Sequence, residues 1–246
     1  MKRTLAVLAA ALLAAPALAE HRDIKVEDRS TFLPIGRLTV DLSPRGLAAS
    51  VPHSGHALEF GFSGGSGTDR QSRRAGAENL VFGGQTFAAP NELQHDFDFR
   101  FAEAVYRFRY FFIDERLALE VLGGLGYAQF DLTVGSAVGS PAAPVREKLG
   151  SGGLVAGVGL IWKFLPSTSL QTRITGFGSG EAEGVSGAAR WDLFLVQALG
   201  RYAAVRAGVT GWNVVSDREE DEFADSLNSR IDARFSGFSL GLELAF

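Results

Sequence analysis

The chain has 246 residues, and its 24 lysines and arginines against 28 aspartates and glutamates give a formal net charge of −4. This acidic balance argues against a nucleic-acid partner, because phosphate binding requires clustered positive charge. The sequence contains no cysteine, which excludes disulfides and thiolate metal sites. Its 19 phenylalanines and 30 glycines favour strands, since glycine disfavours helix interiors and aromatic side chains fit pleated sheets.

Residues 1–19 have the three-part layout of a cleaved secretory signal peptide. Lys2 and Arg3 give a positive start, an apolar run extends from residue 5 to residue 15, and Ala17-Leu18-Ala19 offers small residues to a signal peptidase. The apolar run is well below the roughly 20 residues that a membrane-spanning helix needs. We therefore expect export and cleavage after Ala19, with a mature net charge of about −6 because Lys2 and Arg3 are lost.

Residues 20–56 do not share the regular pattern that follows them. They contain three prolines, which interrupt strands. The segment is therefore predicted to be an extension or a plug, separate from the strand-rich part at 57–246. Alternatively, residues 37–42 and 79–87 form two further strands.

From residue 57 to the end, long alternating segments predict eight strands. They lie near residues 57–65, 95–112, 116–134, 149–164, 168–178, 190–201, 203–216 and 230–246. The two further segments named above would raise the number to about ten.

The connections between these strands alternate in length. Short turns are predicted around Asp114-Glu115, at Leu165-Pro166-Ser167 and at Arg201-Tyr202. The long connections are residues 64–94, 135–148, 178–189 and 217–229. This alternation is typical of an all-β, antiparallel up-and-down transmembrane β-barrel with short periplasmic turns and long extracellular loops. An even number of strands predicts that both chain ends lie on the short-turn side.

Alternate positions predict which face of each strand meets lipid. In the last strand the apolar positions are Phe238, Leu240, Leu242, Leu244 and Phe246. Two strands change sides along their length: aromatic residues occupy odd positions from 97 to 101 and even positions from 106 to 112, and a similar change occurs near residue 236. Either a β-bulge reverses the faces, or the outer part of each strand projects beyond the bilayer. We favour the second explanation.

The C-terminal strand carries a recognisable motif. Ser239, Gly241, Leu244 and Phe246 occupy the polar, glycine, apolar and terminal aromatic positions of a pattern similar to the assembly signal of bacterial outer-membrane proteins. With about eight strands and four long loops, residues 57–246 resemble the small OmpA/OmpX-like barrels. The resemblance implies a monomer in the cell outer membrane. Its partners would be the outer-membrane assembly machinery, outer-membrane lipids and lipopolysaccharide, and residues 20–56 would be periplasmic or inside the barrel.

Polar residues on the inward positions are the first candidates for a site. They are Arg107, Arg109, Glu120, Gln171, Arg173, Arg206 and Glu243. Charges at membrane depth are costly unless they are paired or hydrated, and a barrel of eight strands has an interior that side chains can fill. We favour a closed polar core in which Glu120 and Glu243 bridge to the arginines. The alternative is a narrow, hydrated path lined by arginine.

Large aromatic residues are candidates for the girdles at the two membrane interfaces. They are Tyr110, Tyr127, Trp162, Trp191 and Trp212. The acidic run of residues 217–222, with Asp225, lacks the spacing of a calcium loop, so we interpret it as a solvated loop face rather than a metal site.

A catalytic constellation is not predicted. Only His95 and Asp96, with Ser63 and Ser66 on the first long connection, offer the residue types of a hydrolase or acyltransferase. Their spacing matches no known motif, and no cofactor is expected.

We therefore expect a small outer-membrane protein whose barrel anchors exposed loops and contributes to envelope structure or surface interactions. The first alternative is a narrow channel or transporter for small or hydrophobic solutes. The second is a lipid-modifying enzyme with its site at the barrel rim.

Overall fold

The computed structural model describes most of the chain after the predicted signal peptide. The described residues are 22–42, 54–75, 80–82, 85–113, 116–136, 143–180, 184–200, 202–218 and 229–245. The predicted signal peptide and Phe246 lie outside this range, and so do residues 219–222 of the acidic run.

The described residues form an all-β structure of twelve strands. The strands are β1 (Arg22–Asp28), β2 (Ile35–Asp41), β3 (Ser54–Arg73), β4 (Leu80–Phe82), β5 (Gln85–Phe87), β6 (Asn91–Phe112), β7 (Leu117–Ser136), β8 (Val145–Leu165), β9 (Thr168–Gly178), β10 (Gly184–Ala198), β11 (Ala203–Arg218) and β12 (Ser229–Ala245). The eight strands predicted from residue 57 onward correspond to β3 and β6 to β12. β1 and β2 join them in one sheet, which therefore has ten strands rather than eight.

One large sheet closes on itself in a ring. Its strands run in the order β2, β3 and then β6 to β12 through antiparallel ladders, and β12 pairs back with β2. Following the register once around the ring from Leu244 leads to Asp232, twelve residues earlier on the same strand. Closed sheets require a stagger of this kind. β4 and β5 form a separate hairpin, so residues 79–87 do not add a strand to the ring.

The first two strands share one edge of β12. β1 pairs in parallel with residues 229–235, and β2 pairs in parallel with residues 241–245 of the same strand. Residues 22–28 and 35–41 form strands of the sheet rather than a separate extension or plug, and β2 corresponds to the alternative strand predicted at residues 37–42. Because the closing pair is parallel, Arg22 and Ala245 lie at opposite rims, in contrast to the expected common side.

Connections at the two rims differ in length, as predicted, with two exceptions. At the rim that we call lower, strands are joined by residues 113–116, 166–167 and 199–202. At the upper rim, long connections follow β3, β7 and β11, but β9 and β10 are joined by residues 179–183 alone, a shorter connection than predicted. The lower rim also carries the longer connection from β2 to β3.

Side chains reverse their chemistry between the lower and upper halves of the strands. In β6 the odd positions face inward throughout: Phe97, Phe99 and Phe101 in the upper half, and Arg107 and Arg109 in the lower half. The ladders of β6 with β3 and β7 run without a register shift, and so does the ladder of β11 with β12. The proposed bulges near residues 102–104 and 236–237 are therefore absent from these ladders, and each face is continuous.

The upper half has an apolar interior. Its centre is an aromatic cluster in which Phe99 lies 4.7 Å from Trp212, 5.3 Å from Phe235 and 6.4 Å from Phe130, between ring centroids. In the lower half the outer face is apolar instead. We call this outer surface the apolar belt. Its exposed members include Phe60, Phe62, Leu125, Leu154, Trp162, Ile174, Trp191, Leu195, Phe238, Leu240 and Leu242. Within the described chain, no helix has the length and apolar character needed to cross a membrane.

Candidate functional site

The charged interior of the lower half is the candidate site. Strict alternation along each strand brings its side chains together, because inward positions of neighbouring strands lie side by side. All seven predicted interior residues face inward, from Arg107 and Arg109 on β6 to Glu243 on β12. Gln171 is half-buried, and Arg173 and Arg206 are buried.

Glu59 on β3 is the centre of this interior. Its side chain is fully buried and accepts from three arginines. Arg37 Nε lies 2.8 Å from Oε1, Arg107 NH1 lies 3.0 Å from Oε2, and Arg173 binds both carboxylate oxygens. Three guanidinium groups around one carboxylate join β2, β6 and β9 across the ring.

Glu120 on β7 continues the same network. Arg173 NH2 lies 2.7 Å from its Oε1, and Arg109 NH2 lies 3.1 Å from its Oε2. Arg173 therefore bridges Glu59 and Glu120. Because charged hydrogen bonds are stronger than neutral ones, these ion pairs hold the side chains of β3, β7 and β9 together inside the ring.

A second ion pair lies nearer the lower rim. Arg206 NH1 lies 3.0 Å from Glu243 Oε2, and its NH2 donates to Gln171 Oε1 at 3.3 Å. The guanidinium also lies 4.9 Å from the centroid of the Phe194 ring. These contacts include the pairing of Glu243 with an arginine that the sequence predicted.

A third cluster separates the charged interior from the apolar one above it. Arg190 NH2 donates to Glu103 Oε1 at 2.9 Å, and Arg190 Nε lies 3.1 Å from Asp192 Oδ2. Thr210 donates to the other oxygen of Asp192 at 2.8 Å. The guanidinium packs 5.3 Å from the Trp212 ring, so one side chain joins both regions.

Five charged residues of this interior were missed by the sequence analysis: Arg37, Glu59, Glu103, Arg190 and Asp192. A usable signal exists for most of them. Glu59 lies between Leu58 and Phe60, and Arg37 is followed directly by Leu38. A single charge between two outward apolar residues indicates an inward ionisable group when the strand belongs to a membrane-embedded sheet.

The predicted aromatic girdle is divided between the two faces. Tyr110, Tyr127, Trp162 and Trp191 are outward, with 46–52% of their surface exposed. The prediction is wrong for Trp212, which is only 4% exposed and lies in the inner aromatic cluster. It has the same parity as the inward Arg206 on β11, and a ladder without shifts keeps both on one face.

The residues considered for catalysis do not form a site. His95 is fully buried in the interior, whereas Asp96 is outward and accepts from Thr68 at 2.6 Å. Ser63 faces inward and Ser66 faces outward. Since successive strand positions point to opposite faces, the His95–Asp96 pair is separated by the sheet itself.

Of the described part of the assembly motif, Gly241 and Leu244 lie in the ladder with β2, and Ser239 lies just before it. Ser239 Oγ donates to the carbonyl oxygen of Leu33, and Leu244 faces outward. A Cβ on Gly241 would lie 2.3 Å from the carbonyl oxygen of Ile35, so this close approach requires glycine.

Among the described residues, no group of three or more histidine, aspartate or glutamate side chains is arranged to hold a metal ion. The side chains of the acidic run at 217–222 lie outside the described part of the chain. Comparisons of the chain with protein-family models, with curated proteins and with solved structures gave no match.

Proposed function

We propose that this protein is an integral outer-membrane β-barrel that is closed to solutes, anchors surface loops and contributes to envelope structure or surface interactions. The observation that carries the proposal is the combination of an apolar outer belt with a charged, ion-paired interior in the same half of the ring. A water-soluble protein has the opposite arrangement. Lipid favours an apolar exterior, and a closed ring satisfies every backbone donor and acceptor.

The height of the apolar belt supports membrane insertion. On β7 the outward positions from Leu117 to Tyr127 are apolar or glycine, and beyond them come Gln129, Asp131 and Thr133. This span of residues 117–127 agrees with the roughly 9–11 residues of tilted strand that cross the hydrocarbon layer. The strands then continue by a similar length into the upper half, which would project from the membrane into water.

Ion pairing in the interior supports a closed barrel rather than a channel. Each interior arginine has a carboxylate within 3.1 Å, and Arg37, Arg107, Arg173, Arg190 and Arg206 are buried. A conducting pore needs hydrated charges with room for ions between them. The network that Arg173 forms with Glu59 and Glu120 instead pairs its charges with one another inside the ring.

Two single-tryptophan variants test the orientation of the ring. Trp162 alone (with Trp191→Phe and Trp212→Phe) reports the outer face, and Trp212 alone (with Trp162→Phe and Trp191→Phe) reports the interior. After refolding into vesicles with brominated acyl chains, we expect strong fluorescence quenching of Trp162 and little quenching of Trp212. Equal quenching of both, or of neither, would contradict membrane insertion in this orientation.

Planar-bilayer conductance then distinguishes a closed barrel from a channel. We expect no steady conductance from the refolded chain or from the Arg107→Ala/Arg109→Ala variant, because Arg37, Arg173 and their carboxylates still fill the interior. The matched control is Arg100→Ala, which removes an outward arginine of the same strand. Steady openings that change with the double substitution but not with the control would establish the interior as a solute path.

A further inference from the structure

The network around Glu59 and Glu120 contains more positive than negative charge. Its two carboxylates face four guanidinium groups, which leaves two positive charges in excess. The four residues are Arg37, Arg107, Arg109 and Arg173. Arginine stays protonated in proteins, so the network cannot lose this excess by releasing a proton.

The other two interior clusters compensate only one of these charges. Arg206 and Glu243 cancel each other. Arg190 lies between Glu103 and Asp192, so this cluster has one negative charge in excess. Over the three clusters, one positive charge remains without a counter-charge. Inside a part of the ring that lipid surrounds, such a charge is costly unless it is paired.

The excess positive charge is concentrated beside Arg206. Its partner Glu243 is also the register neighbour of Arg37 on β2, so one carboxylate stands between two arginines. Arg37 in turn shares Glu59 with two further arginines. The counter-charge is therefore incomplete at this place in the interior.

Arg206 also has a buried donor without an acceptor. The residue is 1% exposed, its NH1 donates to Glu243, and its NH2 donates to Gln171. Nε of Arg206 is buried and has no hydrogen-bond partner. Because buried N–H groups normally have an acceptor, this nitrogen indicates one that the chain does not supply. A water molecule would satisfy the hydrogen bond but not the charge, whereas an anion satisfies both.

The lower mouth does not provide the missing counter-charge. Lys163 faces inward there, and its ammonium nitrogen lies 5.1 Å from the centroid of the Phe111 ring. Asp41, exposed at the same rim, offsets the charge of Lys163. Among the described residues, the mouth therefore adds no negative charge in excess.

We propose that the lower interior binds one small monovalent anion, a halide such as chloride, beside Arg206. The single excess charge requires a monovalent anion, and Nε of Arg206 donates to it. A small anion fits because the wall beside the network is crowded: a Cβ on Gly159 would lie 2.6 Å from Glu120 Oε1. The inference rests on the proposed function, because lipid around the belt makes an uncompensated charge costly. It goes further in assigning a ligand to the closed interior.

Equilibrium dialysis of the folded chain in detergent micelles against radioactive chloride tests the anion directly. We expect saturable binding of one chloride per chain. Gln171→Glu keeps the size of the side chain and supplies a carboxylate beside Arg206, so it should abolish the binding. Gln129→Glu adds the same charge to the outer face of the upper half, next to Arg100 in the ladder, and is the matched control. It should keep the bound chloride.

Urea unfolding from lipid vesicles gives an independent measurement. Chloride is substituted for gluconate, which is too large for the interior, at constant ionic strength. Above half-saturation, the unfolding equilibrium constant should fall about tenfold for each tenfold rise in chloride, because unfolding releases one anion. Gln171→Glu should lose this dependence, and Gln129→Glu should keep it.

Two results would overturn the proposal. One is the absence of saturable chloride binding to the unchanged chain, a measurement that does not require any variant to fold. The other is a chloride dependence that persists in Gln171→Glu. Failure of the proposed function is seen separately, because it appears as unexpected quenching in the vesicle experiment with Trp162 and Trp212 or as steady conductance in the planar bilayer.

Discussion

The lower and upper halves of the ring are built from the same strands, but they place apolar side chains on opposite faces. Below, apolar side chains such as Phe60 and Leu160 face outward, and Glu59 and Arg173 are paired inside. Above, Phe99 and Phe130 fill the interior, and Asp98 and Arg100 pair on the outer face with 42% and 59% of their side chains exposed. The strand geometry is unchanged between the halves, so the surroundings of each half, rather than the backbone, determine which face is apolar.

The interiors of the two halves also respond differently to substitution. An apolar core loses stability when a truncated side chain leaves a cavity, and the loss depends on how far the neighbouring side chains relax into it. A buried ion cluster loses stability when one partner is removed, because the remaining charges stay buried without compensation. The two halves therefore predict different responses to matched substitutions.

Removal of the central carboxylate should have the largest effect. Glu59→Gln keeps the side-chain volume but leaves three buried arginines without their shared partner, and we expect a loss at the upper end of about 3–5 kcal/mol. Asp98→Asn, in the exposed pair of the upper half, should cost less than about 1 kcal/mol. Urea unfolding from lipid vesicles measures both. Equal losses for the two variants would mean that the interior pairs are hydrated.

Truncation of an aromatic residue should have the next largest effect. Phe99→Ala opens a cavity in the upper core and should cost about 3–5 kcal/mol. Phe60→Ala, on the belt, should cost about 1.5–3 kcal/mol, because acyl chains refill the space and only the transfer free energy is lost. The same unfolding assay compares them. A larger loss for Phe60 than for Phe99 would contradict the assignment of the two faces.

A new charge on the outer surface should have a smaller effect than the loss of Glu59 or Phe99, and the sharpest dependence on position. Leu160→Arg places a guanidinium near the middle of the belt and should cost about 2–4 kcal/mol in a bilayer. Ser66→Arg, outward in the upper half, should stay within about 0.5 kcal/mol of the unchanged chain. Folding equilibria in vesicles report the difference. If the belt faces water, Leu160→Arg will be as harmless as Ser66→Arg.

Much of the charged interior could be predicted from the sequence, because side chains of a strand alternate between two faces wherever its ladders have no register shift. Arg107, Arg109 and Glu120 were assigned inward from this period alone, and the contact between Arg109 and Glu120 follows from their position in the β6–β7 ladder. The same rule would have placed Trp212 on the inner face, since it shares parity with Arg206. The aromatic girdle was nevertheless assigned by residue type, and there the prediction was wrong for Trp212.

The partners that meet across the ring could not be predicted from the sequence. Glu59 and Arg173 are separated by 114 positions in the chain. Their side chains meet only because the sheet closes into a ring and both point into its interior. Likewise, Arg190 reaches Glu103 across the ring rather than along a ladder. Alternation predicts a direction for a side chain, but a contact across the interior depends on the radius and stagger of the closed sheet.

The amino-acid sequence by itself determined the all-β class, the eight long strands and the alternation of their faces, because these follow from local periodicity and turn residues. The tertiary structure alone decided how the ring closes. β1 and β2 are short segments; β1 pairs with β12, and β2 lies between β12 and β3 and closes the ring. Their parallel pairing with β12 places the two ends of the described chain at opposite rims. This pairing depends on long-range hydrogen bonds that no local sequence pattern encodes.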